Sequence, residues 1–126
     1  MGSEYIAGAC NIGKGEIRRR QFVALIGIFL TVVSATTLLA TDQARSARFS
    51  IFLPAMIFSV GFIQSRKKFC LAYGLAGTFN FGKLGSITKV QSAEDRKADR
   101  KTAINILAQA TFLALAITAV FFALPL

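Results

Sequence analysis

The chain has 126 residues, of which 54% are hydrophobic and 17% are charged, and its formal net charge is +9. A soluble domain of this length surrounds one core with charge, whereas here the charges lie outside three uncharged apolar runs. The chain has no histidine, which excludes imidazole bases and histidine-containing zinc or haem sites. The basic residues flank the apolar runs, so we expect no nucleic-acid partner.

The first predicted element is a membrane span at residues 21–41, which include no charged residue. About 20 helical residues cross a bilayer core of about 30 Å. Residues 1–20 precede the span and end in the basic cluster Arg18, Arg19 and Arg20. A secretory signal fits poorly, because this cluster follows seventeen other residues and the apolar run is longer than the apolar region of a signal peptide.

Small and hydroxyl-bearing residues recur at spacings of three and four along this span, so they share one helical face. Small side chains let membrane helices approach closely, and hydroxyls bond either a neighbouring helix or their own backbone. We therefore predict a helix-packing face, to which the later apolar runs add further small residues. Its members are Gly27, Thr31, Ser34, Thr37, Thr41, Gly61, Ala110 and Ala114.

The second predicted span, residues 49–65, has an uncharged stretch of only 17 residues, near the lower limit for crossing a bilayer. Pro54 inside it predicts a kink or the start of a re-entrant segment. A true span is favoured, because it places residues 1–20 and 66–101 on one side with thirteen of the fifteen basic residues. The positive-inside rule makes that side cytoplasmic and puts the C-terminus outside.

Residues 66–91 are predicted to form an interfacial cytoplasmic loop, which makes a small cap together with the N-terminal segment. The loop holds too much glycine for a stable membrane helix and is too apolar for a free solvated loop. Basic residues on this side are expected to contact the anionic headgroups of membrane lipid. The headgroup candidates are Arg18, Arg19, Arg20, Arg66, Lys67 and Lys68.

A long helix is predicted over residues 93–126, with Ser92 as its N-cap and acidic residues in its first turn. From about residue 102 the helix is uncharged and forms the third span, while the charged turns before it are expected to project as a solvated stem. The chain is thus predicted to be one all-α integral membrane domain, 1–126, with three transmembrane helices. We expect it in the inner, cytoplasmic membrane.

Cys10 and Cys70 are the only cysteines, and the predicted topology places both at the cytoplasmic face, where thiols stay reduced. They are candidates for a redox dithiol, for a metal or iron–sulfur site shared across a homodimer, or for acylation beside the membrane. The competing interpretation treats both as small buried hydrophobes. The chain has no CxxC motif, and we predict no cofactor.

The sequence favours a protein that is not an enzyme, because no span carries an ionisable residue and no catalytic constellation is present. We expect an accessory or assembly subunit that packs against other membrane subunits or against further copies of itself. The first alternative is the membrane-tethered cysteine site described above. A third interpretation is an oligomeric channel lined by the polar face of the first helix.

Overall fold

The computed structural model describes residues 5–82 and 87–125. Three helical stretches in this part of the chain are long and apolar enough to cross a membrane. The prediction of a mostly helical chain with three such stretches is therefore confirmed. The elements are α1 (Lys14–Ala40), a 3₁₀ helix (Arg45–Ile51), α2 (Phe52–Lys67), α3 (Leu71–Ala76), β1 (Thr78–Phe79), β2 (Thr88–Lys89) and α4 (Ala93–Ala123).

The three long helices form an open layer with α2 in the middle. α2 packs against α1 on one side and against α4 on the other, whereas α1 and α4 have little contact within the described residues. We call the end that carries residues 5–13 and the segment between α2 and α4 the cap end. The other end, where the 3₁₀ helix meets the last turn of α4, is the turn end.

Two glycines set the distance between α1 and α2. A Cβ added at Gly27 would lie 2.3 Å from the backbone nitrogen of Phe58, and one added at Gly61 would lie 2.8 Å from that of Ala24. Neither distance is compatible with a side chain, so the helices can cross this closely only where glycine stands. The Thr31 hydroxyl, on the same face, donates to the Gly27 carbonyl at 2.8 Å.

The other members of the predicted packing face lie in different surroundings. Ala110 and Ala114 on α4 are fully buried. Ser34 is half-buried, whereas Thr37 and Thr41 are exposed, and the Thr41 hydroxyl donates to the Thr37 carbonyl at 2.7 Å. The closest approach of α1 to α2 therefore involves the half of the face nearer the cap end.

Pro54 stands in the first turn of α2, where a residue without an N–H loses no intrahelical hydrogen bond. The 3₁₀ helix runs directly into α2, and together Arg45–Lys67 give 23 helical residues. The proline therefore stands in the first turn of an α-helix and not in its interior, and the kink or re-entrant start stays a prediction.

The cap end is more ordered than the predicted loop and stem. Residues 66–91 include α3 and an antiparallel pair of strands in which Thr78 faces Lys89. The start of α4 is a solvated stem only in part, because Glu94, Lys97 and Arg100 are exposed whereas Asp99 is completely buried. Residues 1–4 and 83–86, and Leu126 at the end of the predicted third helix, lie outside the described residues.

Candidate functional site: a buried polar cluster beside a groove

Glu16, in the first turn of α1, is a carboxylate with only 1% of its surface exposed. Burying a carboxylate costs several kcal/mol unless donors surround it. The Tyr73 hydroxyl donates to its Oε2 at 2.6 Å and Asn80 Nδ2 donates to the same oxygen at 3.0 Å. Arg20 forms an ion pair with Oε1. Both carboxylate oxygens therefore have protein partners, and the positive end of the helix dipole adds to their stabilisation.

Arg20 connects this carboxylate to a cysteine. Its Nη2 donates to the Cys70 sulfur at 2.8 Å, and its guanidinium lies 5.6 Å from the centre of the Tyr73 ring. A cationic neighbour is typical of reactive thiols, whereas deep burial is typical of inert ones. Cys70 is 2% exposed. Its surroundings therefore combine the cationic neighbour of a reactive thiol with the deep burial of an inert one.

Asn11 holds Cys70 through both of its backbone groups. The Cys70 nitrogen donates to Asn11 Oδ1 at 2.6 Å, and Asn11 Nδ2 donates to the Cys70 carbonyl at 3.2 Å. On the main chain, the Asn80 nitrogen donates to the Asn11 carbonyl and the Gly13 nitrogen donates to the Asn80 carbonyl, both at 2.9 Å. Residues 11–13 thus run beside the residue that follows β1 and fix the position of the cysteine.

Cys10 is also buried, and its sulfur lies 3.7 Å from the Ile12 carbonyl. Both cysteines are free thiols. A metal shared across a homodimer or an acyl chain in the membrane needs a thiol at the protein surface, so the burial of both disfavours these two uses. Within residues 5–82 and 87–125, no group of three or more His, Cys, Asp or Glu residues is placed to hold a metal ion.

A second buried carboxylate, Asp99 on α4, anchors residues 5–8 of the N-terminal segment. The Tyr5 hydroxyl donates to it at 2.5 Å and the Gly8 nitrogen donates at 2.7 Å. Thr102, three residues further along α4, donates to the Gly8 carbonyl at 2.7 Å. Gly8 has a φ of +72°, a left-handed conformation that glycine adopts without strain, and this turn presents both of its backbone groups to α4.

The chain has two tyrosines, and each donates its hydroxyl to a buried carboxylate. Burial and the hydrogen bond to Asp99 raise the pKa of Tyr5 far above the ordinary value of 10.0. Burial and the hydrogen bond to Glu16 raise the pKa of Tyr73. Deprotonation of either phenol would place two negative charges together away from water, so both remain neutral donors.

A groove of about 480 Å³ opens beside the Arg20 and Cys70 pair. It runs between α1 and α2 under α3, with polar and cationic residues at the cap end and valines deeper along the helices. Gln64 at its edge accepts a hydrogen bond from the Leu71 nitrogen at 2.7 Å, which fixes the start of α3. The wall of the groove includes Arg19, Arg20, Val23, Val60, Cys70 and Tyr73.

The predicted headgroup residues are divided by the structure into an exposed set and one inward-facing residue. Arg18, Arg19, Arg66, Lys67 and Lys68 are exposed at the cap end. Arg20 instead is largely buried and bound to Glu16 and Cys70. Arg20 is therefore not the surface residue that was predicted, and its predicted contact with lipid headgroups could be made only from the groove that it lines.

The cap residues that sequence reasoning missed include Tyr5, Asn11, Asn80 and Asp99. For Asp99 a signal existed, because it stands four residues before the buried Ala103 and so extends the buried stripe of α4. The amides and the tyrosine carry no comparable pattern.

Comparison of the chain with protein-family models, with curated proteins and with solved structures finds no match.

Proposed function

We propose that this chain is a multi-pass protein of the cytoplasmic membrane that acts as a non-enzymatic accessory or assembly subunit. The observation that carries the proposal is the open layer, in which α1 and α4 each keep one face without protein cover in the described part of the chain. Lipid or the helices of another membrane subunit would cover these faces. Their large apolar residues are Phe22, Leu25, Phe29 and Val32 on α1, and Ile104, Phe112, Leu115 and Val120 on α4.

The cap end is proposed to face the cytoplasm, with the C-terminus outside. Residues 1–20 and 66–101 hold thirteen of the fifteen basic residues, and the described parts of both segments belong to the cap end. The remaining two, Arg45 and Arg48, donate hydrogen bonds to carbonyl groups at the end of α4. This distribution supports the orientation under the positive-inside rule.

The polar residues of the cap support a structural role more than a catalytic one. A general acid or base has to reach a substrate atom, whereas Glu16 and Asp99 are enclosed by donors from the protein itself. In the part of the chain that the structure describes, every buried side-chain nitrogen and oxygen has a hydrogen-bond partner. The cluster therefore has the properties of a clamp that joins the N-terminal segment to α3 and α4.

Purification in a mild detergent, combined with photocrosslinking, tests the subunit role. A photoreactive side chain at Phe29 on α1 or at Phe112 on α4 should crosslink to a second membrane polypeptide or a second copy of the chain. The same group at Arg18, which is exposed at the cap end outside both apolar faces, is the control. Recovery of a monomer with adducts to lipid alone at both positions would contradict the subunit role and leave membrane insertion standing.

A second candidate function is a membrane-tethered thiol site at Cys70. The observations that favour it are the hydrogen bond from Arg20 to the Cys70 sulfur at 2.8 Å and the groove beside it. A reactive Cys70 should be alkylated by a small reagent faster than Cys10, and Cys70→Ala should remove the fast phase whereas Cys10→Ala should not. Equally slow alkylation of both thiols would leave Cys70 with a packing role alone.

A further inference from the structure

We infer that one face of the layer holds a single anionic phospholipid, with its phosphate at Arg19 and an acyl chain along α2. The inference rests on the membrane insertion proposed above and adds a specific ligand and site to it. The site is formed by two grooves that adjoin each other on the same side of the α1–α2 contact.

The first groove is the one of about 480 Å³ beside Arg20 and Cys70. The second, of about 450 Å³, continues along α2 toward the turn end and is lined by Leu53, Met56 and Ile57. Val23 and Val60 line both grooves, so the two form one furrow. We refer to this pair of grooves as the furrow.

The lining of the furrow is cationic at the cap end and apolar toward the turn end. The headgroup and the acyl chain of an anionic lipid follow one another in the same order. Its cap end is lined by arginine, glutamine and tyrosine side chains, and from Val23 onward its wall is aliphatic. A small free anion would leave the aliphatic part unused, and an apolar partner helix would leave the cations without counter-charge. A lipid with an anionic headgroup matches both parts together.

Arg19 supplies the charge that the headgroup would meet. Its side chain is exposed, whereas Arg20 is ion-paired with the buried Glu16. No carboxylate lines the first groove in the described part of the chain. Two guanidinium groups thus stand near one enclosed carboxylate, which leaves a net positive charge for a phosphodiester.

Arg20 lines the same headgroup site, and its guanidinium is held in position by protein groups. A guanidinium has five N–H donors, and the contacts of Arg20 with Glu16 and Cys70 account for three of them. These contacts fix the guanidinium in the wall of the groove. Arg20 therefore avoids the loss of side-chain entropy that an exposed arginine incurs on binding.

The opposite side of the α1–α2 contact offers an internal comparison. There a groove of about 470 Å³ is lined by Ile28, Phe58, Phe62 and Arg66. Its arginine lies 5.8 Å from the centre of the Phe62 ring, and so stacks on the wall of its own groove. This side has an apolar groove of similar volume along the same two helices and serves as the control for the furrow.

Tryptophan reporters measure lipid occupancy on each side, since the chain has no tryptophan of its own. Ile57→Trp reports on the furrow. Ile28→Trp is the matched reporter across the contact, at the level where Gly27 meets Phe58, and the two isoleucines are similarly exposed, at 41% and 46%. Each variant of the full chain is reconstituted in phosphatidylcholine vesicles that contain a small fraction of brominated phosphatidylglycerol or of brominated phosphatidylcholine with the same chains.

Quenching of fluorescence gives the relative association constant of the two brominated lipids at each reporter. With Ile57→Trp we expect a several-fold preference for phosphatidylglycerol, which Arg19→Gln reduces about fivefold. Arg18→Gln removes a neighbouring exposed cation that does not line the furrow, and it should reduce the preference less than Arg19→Gln does. At Ile28→Trp the preference should not respond to Arg19→Gln.

Equal association constants of the two lipids at Ile57→Trp would overturn the site. Equal reductions by Arg18→Gln and Arg19→Gln would also overturn it, because general surface charge then accounts for the binding. If neither lipid quenches either reporter, membrane insertion itself fails and the site fails with it. That last outcome separates failure of the proposed function from failure of the site alone.

Discussion

The two ends of the three-helix layer are closed by side chains of opposite charge. At the cap end the buried groups are the carboxylates of Glu16 and Asp99, on which protein donors converge. At the turn end the buried group is a guanidinium. Arg48 Nη1 donates to the carbonyls of Phe121 and Leu124 at 3.0 and 2.9 Å.

The difference follows the direction of the helices. α1 begins at the cap end with Glu16 in its first turn, where the positive end of the dipole favours an acid. Asp99 lies in the second turn of α4, and its donors come from Tyr5 and Gly8. α4 ends at the turn end, where free carbonyls favour cations. The last turn of α4 has no basic residue of its own, so Arg45 and Arg48 of the 3₁₀ helix supply its cap. Each end therefore joins segments that are far apart in the chain.

Removing the Glu16 carboxylate should have the largest effect on this comparison. Glu16→Ala leaves Arg20 as a largely buried cation and leaves Tyr73 and Asn80 without their acceptor. We expect the free energy of unfolding to fall by about 3–5 kcal/mol. Titration with SDS in mixed micelles, followed by circular dichroism, measures the change.

Glu94→Ala is the matched control for this variant, because Glu94 is an exposed acid in the first turn of α4. Its loss should cost less than about 1 kcal/mol. If Glu16→Ala costs no more than Glu94→Ala, the buried carboxylate does not close the cap end, and the contrast between the two ends is lost.

The turn end should be less sensitive than the cap end. Arg48→Gln removes two charge-assisted hydrogen bonds to the end of α4 and should lower the free energy of unfolding by about 1.5–3 kcal/mol. Arg45→Gln, at an exposed arginine that leaves Arg48 in place, should cost less than about 1 kcal/mol. The same SDS titration compares them, and an equal or reversed order would show that burial does not decide the strength of this cap.

The N-cap of α4 provides a test with a smaller expected effect. It joins residues that are three apart in the chain, whereas the Arg48 cap joins two distant segments. The Ser92 hydroxyl accepts a hydrogen bond from the Asp95 nitrogen at 3.3 Å. Ser92→Ala should reduce the free energy of unfolding by about 1 kcal/mol. Ser46→Ala, at an exposed serine of the 3₁₀ helix, should change it by less than about 0.5 kcal/mol. An effect of Ser92→Ala no larger than that of Ser46→Ala would contradict the assigned cap.

Alkaline pH should destabilise the cap end, because both tyrosines lie there. At neutral pH both phenols are protonated, so the free energy of unfolding should not depend on them. The pKa values of Tyr5 and Tyr73 are raised above 10.0 in the folded protein. Their contribution to stability is therefore complete below pH 10 and is lost as the pH rises through the folded pKa values. Phenolate absorbance in the ultraviolet should appear near pH 10 in SDS-unfolded protein and only at higher pH in folded protein.

Asp99→Asn serves as the partner variant of this titration. It removes the carboxylate that faces Tyr5 and should lower the pKa of Tyr5. About half of the phenolate absorbance of the folded protein should then appear at a lower pH, while Tyr73 keeps its raised pKa beside Glu16. Coincident titration curves for the folded and unfolded wild-type protein would contradict the burial of both hydroxyl groups.

The helices could be predicted from the sequence because each is a local property of a continuous run. The apolar stretches mark the spans, and the Ser92 cap marks the start of α4. The cap could not be predicted in the same way, because its contacts join residues that no periodic pattern relates. Asn11 and Cys70 are 59 residues apart, and Tyr5 and Asp99 are 94 apart.

Part of the buried cluster nevertheless extends a predicted face. Glu16, Arg20, Ala24 and Gly27 follow one another at spacings of four, four and three, so all four lie on the side of α1 that meets its neighbours. A spacing of four residues between Glu16 and Arg20 is also typical of an ion pair on the surface of a helix. The ion pair is present, but extension of the packing face toward the N-terminus would have placed it inside the protein.

The separation between Tyr5 and Asp99 also sets the order in which the molecule can be assembled. The contact between α1 and α2 lies within the first 67 residues, so it can form early in synthesis. Residues 5–13 emerge before them, yet their partner Asp99 follows Tyr5 by 94 positions. Residues 11–13 can dock on Cys70 and Asn80 before α4 is made, whereas Tyr5 and Gly8 can dock only after α4 has been made. A chain that stops short of α4 therefore leaves residues 5–8 undocked and open to proteolysis.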